Sequence, residues 1–230
     1  GLHASAVVKE GWSYQHIDPA IVGNATRILV SELSGRRNIQ AKIQEQGIEV
    51  DLTQEDLRQL LEQVKEMESR GFQYEGAEAS FGVLVRRSRP GYKPFFDLED
   101  FWVVERRHRA EANEGREMQS EAMVKVRVGD QLFHEAAEGN GPVNALDAAV
   151  RKALAKFYPD IMAIKLVDYK VRIIDSTSGT GASVRVLIES ADGEDSWTTV
   201  GASTDIIEAS WLALSDSLEY WLVRHGERPA

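Results

Sequence analysis

The second half of the sequence contains the same order of predicted elements twice, and this repeat restricts the possible folds more than any other feature. Six apolar positions of one predicted helix recur in another helix, each 64 residues further along the chain. The matched pairs are Val143 and Ile207, Ala145 and Ala209, Ala149 and Ala213, Val150 and Leu214, Leu154 and Leu218, and Phe157 and Trp221. Since three predicted strands precede each helix, the sequence predicts two βββα units, at about 98–158 and about 163–223.

The strands of both units are predicted from short runs of β-branched, aromatic and other apolar residues. Those of the first unit are predicted at 101–104, 122–128 and 131–136, and those of the second at 165–174, 183–190 and 197–200. Gly129 and Asp130 supply a tight hairpin turn between the last two strands of the first unit. The helix of the first unit starts at Pro142 and ends before Pro159, and the helix of the second covers 205–222.

The first part of the chain lacks this pattern and is irregular with isolated helices. A helix is predicted at 53–70, where apolar residues recur at three- and four-residue spacing after a capping sequence that begins at Thr53. A short helix is predicted at 39–46 and a short apolar piece at 81–85.

The segment 88–94 contains two prolines and a glycine, which is typical of a linker. We therefore predict connecting subdomains at 1–90 and a second domain of two βββα units at 95–225, with the boundary between 86 and 98. The fold class is α+β.

Composition and charge exclude several classes of protein. The formal net charge of −10 opposes binding to the phosphate backbone of nucleic acids. No uncharged apolar stretch approaches the roughly 18 residues of a membrane span. The lack of cysteine is typical of a reducing compartment, so we expect a cytoplasmic protein. The five histidines do not have the spacing of a metal site, so we expect neither metal nor cofactor in this chain.

The βββα units also predict an oligomer. One helix can cover only one face of a three-stranded sheet, so each unit must bury its remaining apolar surface against the other unit or against a second chain. We expect a homodimer, because twofold assemblies are the commonest oligomers. A seam between two similar units is a place where a small molecule could bind.

The loops before the two repeated helices are candidate anion sites. The stretches 138–143 and 200–206 place small residues directly before a helix, where free N–H groups and the positive end of the helix dipole can hold a carboxylate. Ordinary helix capping explains the same residues, since strand-to-helix turns favour Gly, Ser and Asn in any protein.

Several stretches of the chain resemble citramalate synthases, which are relatives of α-isopropylmalate and homocitrate synthases. The stretches that carry the resemblance are GLHASA at 1–6, YQHIDP at 14–19, SELSGR at 31–36, GNGPVNAL at 139–146, DYKVR at 168–172, VRVLIES at 184–190 and IIEASW at 206–211. The first three resemble the segment that follows the catalytic barrel in this family, and the others resemble its C-terminal regulatory domain. GNGPVNAL and IIEASW point to the citramalate branch.

The resemblance implies an acyltransferase of which this chain is only a part. In the family, a TIM barrel binds a divalent metal and condenses a 2-oxo acid with acetyl-CoA, and this sequence contains none of that barrel. The first residue is Gly1 rather than Met, which favours a piece of a longer protein. We therefore expect no synthase activity from the chain alone. By the resemblance, His3 and Tyr14 assist the active site of a partner's barrel.

The resemblance further implies that the region from about 95 onward is dimeric and senses a branched-chain amino acid. An amino-acid effector needs an anchor for its carboxylate, an acceptor for its ammonium group and an apolar pocket. The residues that we expect to supply these are Gly139, Asn140, Gly141, Pro142, Val143, Asp168, Tyr169, Val171, Gly201, Ser203 and Ile206.

The leading hypothesis from the sequence is that the chain is the part of a citramalate synthase that senses isoleucine or leucine as a feedback effector, with isoleucine favoured. One alternative is the regulatory part of an α-isopropylmalate synthase that senses leucine. Another is a dimerisation module that binds no ligand. An independent enzyme is a further class, although the sequence has no GxSxG, Walker or GxGxxG motif to support it.

Overall fold

The computed structural model describes residues 36–48, 50–107 and 118–226, together with Ile21. Helices and two antiparallel sheets make up the described parts, which confirms the α+β class. The helices are α1 (Arg36–Glu45), α2 (Gln54–Ser69), α3 (Glu78–Arg87), α4 (Pro142–Leu154) and α5 (Ile206–His225). The strands are β1 (Asp97–Arg107), β2 (Met118–Val128), β3 (Gln131–Gly139), β4 (Lys165–Ile173), β5 (Val184–Ala191) and β6 (Ser196–Ser203).

Helix α2 confirms the helix predicted at 53–70. The Thr53 side chain accepts a hydrogen bond from the Asp56 main-chain N–H, and the Asp56 carboxylate accepts one from the Thr53 N–H. This capping box satisfies two N–H groups that the first turn of a helix leaves without partners. At the other end Gly71 has a φ of 103°, a left-handed conformation that glycine adopts without strain and that ends the helix.

The two βββα units are confirmed, with strand orders β1-β2-β3 and β4-β5-β6. The hairpin between β2 and β3 turns at Gly129, where φ is 57°. The first strand of each unit has a register shift at the same place, between Leu98 and Asp100 in β1 and between Leu166 and Asp168 in β4. Such a bulge changes which side chains face the helix.

The two units share a core. Helix α4 packs on the first sheet, α5 packs on the second sheet, and the two helices contact each other. Their interface contains fully buried side chains of both helices, among them Leu146, Val150, Leu218 and Leu222. One apolar cluster therefore holds the repeats together, as their matched apolar positions predict.

The helical segment, which we define as α1 to α3, packs against the second unit. Its apolar residues form one cluster with Val200 and Ala202 of β6, whose side chains lie on the face of the second sheet away from α5. Helix α3 runs beside the edge strand β6 and also contacts α5. The domain boundary at 88–94 stays a prediction, but the helices before it share a core with the second unit.

Ser80 of α3 compensates for the open edge of β6. Its hydroxyl oxygen accepts a hydrogen bond from the Val200 main-chain N–H at 3.0 Å and donates one to the Val200 carbonyl at 3.5 Å. An edge strand otherwise presents unpaired main-chain groups, and a covering helix is one way in which proteins protect it. Both residues are buried, so water cannot replace Ser80.

Among the described residues, no helix or strand covers the face of the first sheet away from α4, which we call the open face. It carries Trp102, Val104, Met123, Leu132 and Ala136. Trp102 is 60% exposed, which is unusual for the largest apolar side chain. The two repeats thus differ most in what covers them.

We expect Ser80→Ala to lower the free energy of unfolding by about 1 to 3 kcal/mol, because it leaves the buried Val200 N–H without a partner. Urea titration of the whole chain measures this. The control is Ser69→Ala, since Ser69 is exposed and bonds only within its own helix, and it should change stability by less than about 0.5 kcal/mol. Equal losses in both variants would contradict the proposed role of Ser80.

Candidate effector site

The first turn of α4 is open to a ligand. Gly141 precedes the helix and Pro142 is its first residue, and in the described structure no side chain caps it. The Asn144 side chain instead accepts a hydrogen bond from the Asn140 N–H at 3.1 Å. The first N–H groups of α4 and the positive end of its dipole are therefore available to an anion.

The first turn of α5 is closed by its own chain. The Asp205 carboxylate accepts hydrogen bonds from the N–H groups of Ile207 at 2.7 Å and Glu208 at 3.2 Å. Ser203 accepts one from the Asp205 N–H and donates to the Glu208 carboxylate. At this helix, capping accounts for Ser203, and a ligand carboxylate would compete with Asp205.

Val143 and Tyr169 both pack at the seam between the units. Val143 belongs to the first unit and Tyr169 to the second, yet both pack against the same buried cluster, which contains Val186, Ile188 and Ala209. The Tyr169 hydroxyl lies 2.8 Å from the Ser210 hydroxyl of α5. Two of the predicted pocket residues are thus brought together although 26 positions separate them in the chain.

Asp168 lies apart from this pair. Neighbouring residues of a strand point to opposite faces, and Tyr169 faces α5, so Asp168 faces away from the seam. There its carboxylate forms an ion pair with Lys170. The hydrogen bond from Lys170 lowers the pKa of the Asp168 carboxyl, which is therefore ionised at neutral pH. Within one chain, Asp168 and Tyr169 do not line one pocket.

An apolar strip continues from the seam to the surface. Val171 and Ile173 follow Tyr169 on the same face of β4 and are 39% and 65% exposed. Ile206, at the first turn of α5, is 44% exposed. A monomer leaves these apolar side chains in water, so they are available to a ligand or to a second chain.

Gly139 and Gly201 have a packing role. A Cβ on Gly139 would lie 2.4 Å from the Ala145 nitrogen of α4, and one on Gly201 would lie 2.0 Å from the Ala209 oxygen of α5. Each glycine thus lets a helix rest directly on the last strand of its own unit. This close approach sets where the two helices begin.

The predicted catalytic residues lie outside the part of the chain that the structure describes. His3 and Tyr14, to which the resemblance assigns a catalytic role, lie outside the described residues. Within 36–48, 50–107 and 118–226, no three His, Cys, Asp or Glu residues lie close enough to hold a metal ion. Over the same residues, none of the helices is long and apolar enough to cross a membrane.

Sequence reasoning did not identify Ser210. It lies on the buried side of α5, and nothing in the stretch IIEASW distinguishes a serine that bonds Tyr169 from one that bonds its own helix. It does both, since its hydroxyl also donates to the Ile206 carbonyl at 2.6 Å. The pairing depends on strand register, which only the folded chain fixes.

The paired βββα units, their shared core and the seam between them form one domain, whose class the family comparisons identify. The sequence pattern described as the LeuA allosteric (dimerisation) domain matches residues 51–222, and that described as homocitrate synthase post-HMGL domain-like matches residues 1–71. The chain therefore belongs to the LeuA allosteric (dimerisation) domain family.

The particular relatives are citramalate synthases. The (R)-citramalate synthase of Geobacter sulfurreducens is 50% identical over 228 residues, which are 99% of this chain and 42% of the relative. That of Aquifex aeolicus is 46% identical over 227 residues, with the same coverage, and that of Streptomyces coelicolor is 44% identical over 234 residues, covering all of this chain and 42% of the relative. The chain spans about two fifths of the length of these curated relatives.

The unequal caps predict unequal effects of mutation. Asp205→Ala should lower the free energy of unfolding by about 0.5 to 2 kcal/mol, because α5 loses its capping carboxylate. Asn140→Ala, before α4, should change it by less than about 0.5 kcal/mol, since the Asn140 side chain is exposed and caps no helix. Thermal unfolding of both variants checks this. A larger loss for Asn140→Ala would mean that we have assigned the caps wrongly.

Proposed function

We propose that this chain is the regulatory part of a citramalate synthase and binds a branched-chain amino acid, isoleucine, as a feedback effector. The observation that carries the proposal is the seam, where Val143 of one unit and Tyr169 of the other pack against the same buried cluster, and where the first turn of α4 has no side-chain cap. Membership of an allosteric domain family and the identity to citramalate synthases support it.

The binding mode follows from these groups. The effector carboxylate accepts hydrogen bonds from the main-chain N–H groups of Gly141 and Val143, on either side of Pro142, which has no N–H. The helix dipole favours a negative charge there. Its side chain packs against Val143, Tyr169, Val171 and Ile206. Main-chain carbonyl groups at the seam accept the ammonium group, because Asp168 points to the other face of β4.

Only the α4 turn serves as the carboxylate anchor in this proposal. The α5 turn has the same kind of sequence, but Asp205 occupies its N–H groups. One chain then offers one anchor rather than two, although its sequence repeats.

We also propose that two chains associate through their open faces. Trp102, Val104 and Leu132 are 60%, 45% and 38% exposed, and a second copy would remove them from water. The match to a dimerisation domain family supports the proposal, as does the observation that no helix in the described part of the chain covers this face.

The catalytic half of the proposal concerns residues beyond the described structure. In the full-length enzyme, a barrel would hold the divalent metal and condense acetyl-CoA with pyruvate. His3 and Tyr14 would reach the active site of a partner's barrel. The regulatory role of the chain does not depend on these assignments.

Two alternatives have different expected results. A leucine sensor of the α-isopropylmalate synthase type would bind leucine more tightly than isoleucine, since one methyl position in an apolar pocket is worth about 1 to 3 kcal/mol. A ligand-free dimerisation module would bind neither. The identity to citramalate synthases favours isoleucine.

Titration calorimetry with isoleucine, leucine and valine tests the sensing proposal. We expect the tightest binding for isoleucine, and about fivefold to tenfold weaker binding after Ile206→Ala, which removes part of the apolar pocket. Met162→Ala is the matched control, since Met162 is 59% exposed and lies in a turn outside the seam. It should leave the affinity unchanged. No heat with any amino acid would favour the ligand-free module.

Light scattering tests the dimer. At tens of micromolar the chain should have about twice the mass of one monomer, and Trp102→Arg should shift it towards the monomer by placing a charge on the open face. Met162→Arg puts the same charge on an equally exposed apolar position elsewhere and should remain dimeric. A monomeric parent chain, or equal effects of both variants, would contradict the interface.

A further inference from the structure

Helix α5 is held at two places by different parts of the chain. Near its start, Ser210 bonds Tyr169 at the candidate effector seam. Near its end, Glu219 bonds α3 and the segment after it. No other helix in the described structure bonds both the seam and the helical segment through side chains.

The contacts at the end of α5 form what we call the clamp. The Arg87 Nε donates to one oxygen of Glu219 at 3.0 Å, and a second guanidinium nitrogen donates to the same oxygen. The Tyr92 hydroxyl donates to the other oxygen at 2.6 Å. Arg87 also bonds Asp216 at 2.7 Å. Glu219 makes three of these four bonds.

Separating Glu219 from its partners in the clamp is energetically unfavourable. Glu219 is 1% exposed, and a buried carboxylate that loses its partners strongly destabilises the fold. Asp216 is the weaker member, because burial raises its pKa to about 6 and favours the neutral form. Arg87 and Tyr92 must therefore follow Glu219 if α5 moves.

Helix α5 is stiff enough to connect the two places. It runs from Ile206 to His225 without an internal glycine or proline. Ser210 and Glu219 are nine positions apart, which corresponds to about 14 Å along the axis and to opposite sides of the helix at about 100° per residue. A rotation or shift that starts at Ser210 thus displaces Glu219 as well.

The clamp also has room to rearrange. A cavity of about 420 Å³ lies beside it, lined by Arg87, Tyr92, Phe96, Trp211 and Glu219 among others. Close-packed interiors resist movement, whereas side chains that border a cavity can shift without collision.

We propose that α5 is the lever that transmits effector occupancy from the seam to the helical segment, with the Arg87–Glu219–Tyr92 clamp as its joint. This inference rests on the proposed function for the identity of the effector. The connection through α5 between the seam and the helical segment does not depend on that function. The helical segment is the part of this chain that leads towards residues 1–35 and, in the proposed enzyme, towards the barrel.

The lever needs two arrangements of α3 against α5. Ser80 bonds α3 to β6, and the clamp bonds α3 to α5. If α5 moves relative to its sheet, α3 must therefore move as well to keep both sets of bonds. An effector shifts this balance only by its difference in affinity for the two arrangements.

Hydrogen exchange with a double-mutant cycle tests the connection without any ligand. Tyr169→Phe removes the bond to Ser210, and we expect it to change amide exchange in α3 by about threefold or more relative to β2 of the first unit. In a Glu219→Gln background the same change should have no effect on α3. Sites this far apart are otherwise additive, so additivity would overturn the lever.

Two further variants keep the test decisive. Ser120→Ala removes a comparable hydrogen bond, to Glu105 in the first unit, and should leave α3 exchange unchanged. If Glu219→Gln does not fold, Tyr92→Phe replaces it, because it removes one bond of the clamp and keeps the ion pair. In that background the response of α3 to Tyr169→Phe should be reduced, and an undiminished response would contradict the joint.

The same exchange experiment with isoleucine present distinguishes a failure of this inference from a failure of the proposed function. Calorimetric binding of isoleucine to the whole chain should be accompanied by altered exchange in α3. Glu219→Gln should abolish that change in α3 while isoleucine still binds. Binding without any change in α3 overturns the lever and leaves the sensor. An intact mutant cycle without isoleucine binding supports the lever and rejects isoleucine as effector.

Discussion

A three-stranded sheet with one helix cannot cover itself, and this constraint shapes the rest of the molecule. Each unit leaves one face and two edges open after its own helix has packed. The second unit is completed by the helical segment, which fills the face behind Val200 and Ala202 and satisfies the edge of β6 through Ser80. The first unit keeps Trp102 on the surface. Two copies of one motif therefore have different surroundings within a single chain.

This difference extends to the candidate effector site. The repeats place a helix N-terminus at equivalent positions, yet Asp205 closes one and Gly141 leaves the other open. In the proposed binding mode the seam is thus asymmetric, because the first unit supplies the carboxylate anchor and the second supplies Tyr169. Such a division gives a ligand contacts with both units, so its binding energy depends on how they are arranged.

Much of the fold could be predicted from the sequence because its signals are local. The capping box at Thr53 and the apolar spacing of α2 lie within one helix, and the repeat needs only matched positions. The packing of α3 along β6 could not be predicted, since Ser80 and Val200 are 120 positions apart. For the candidate site, the repeat predicted a seam between the two units. That seam is the reason why Val143 of the first unit packs against residues of the second unit. The orientation of Asp168 away from it follows from strand alternation, whereas the bond from Tyr169 to Ser210 depends on register.

The two βββα units differ in burial at the residue that precedes the glycine on which each helix rests. One residue before Gly139, on the face away from α4, is Glu138, which is exposed. One residue before Gly201, on the corresponding face of the second sheet, is Val200, which is 0% exposed. A carboxylate is compatible with position 138, which is exposed, whereas one at position 200 would be buried against the helical segment. The residue type at this one position therefore indicates which sheet the helical segment covers.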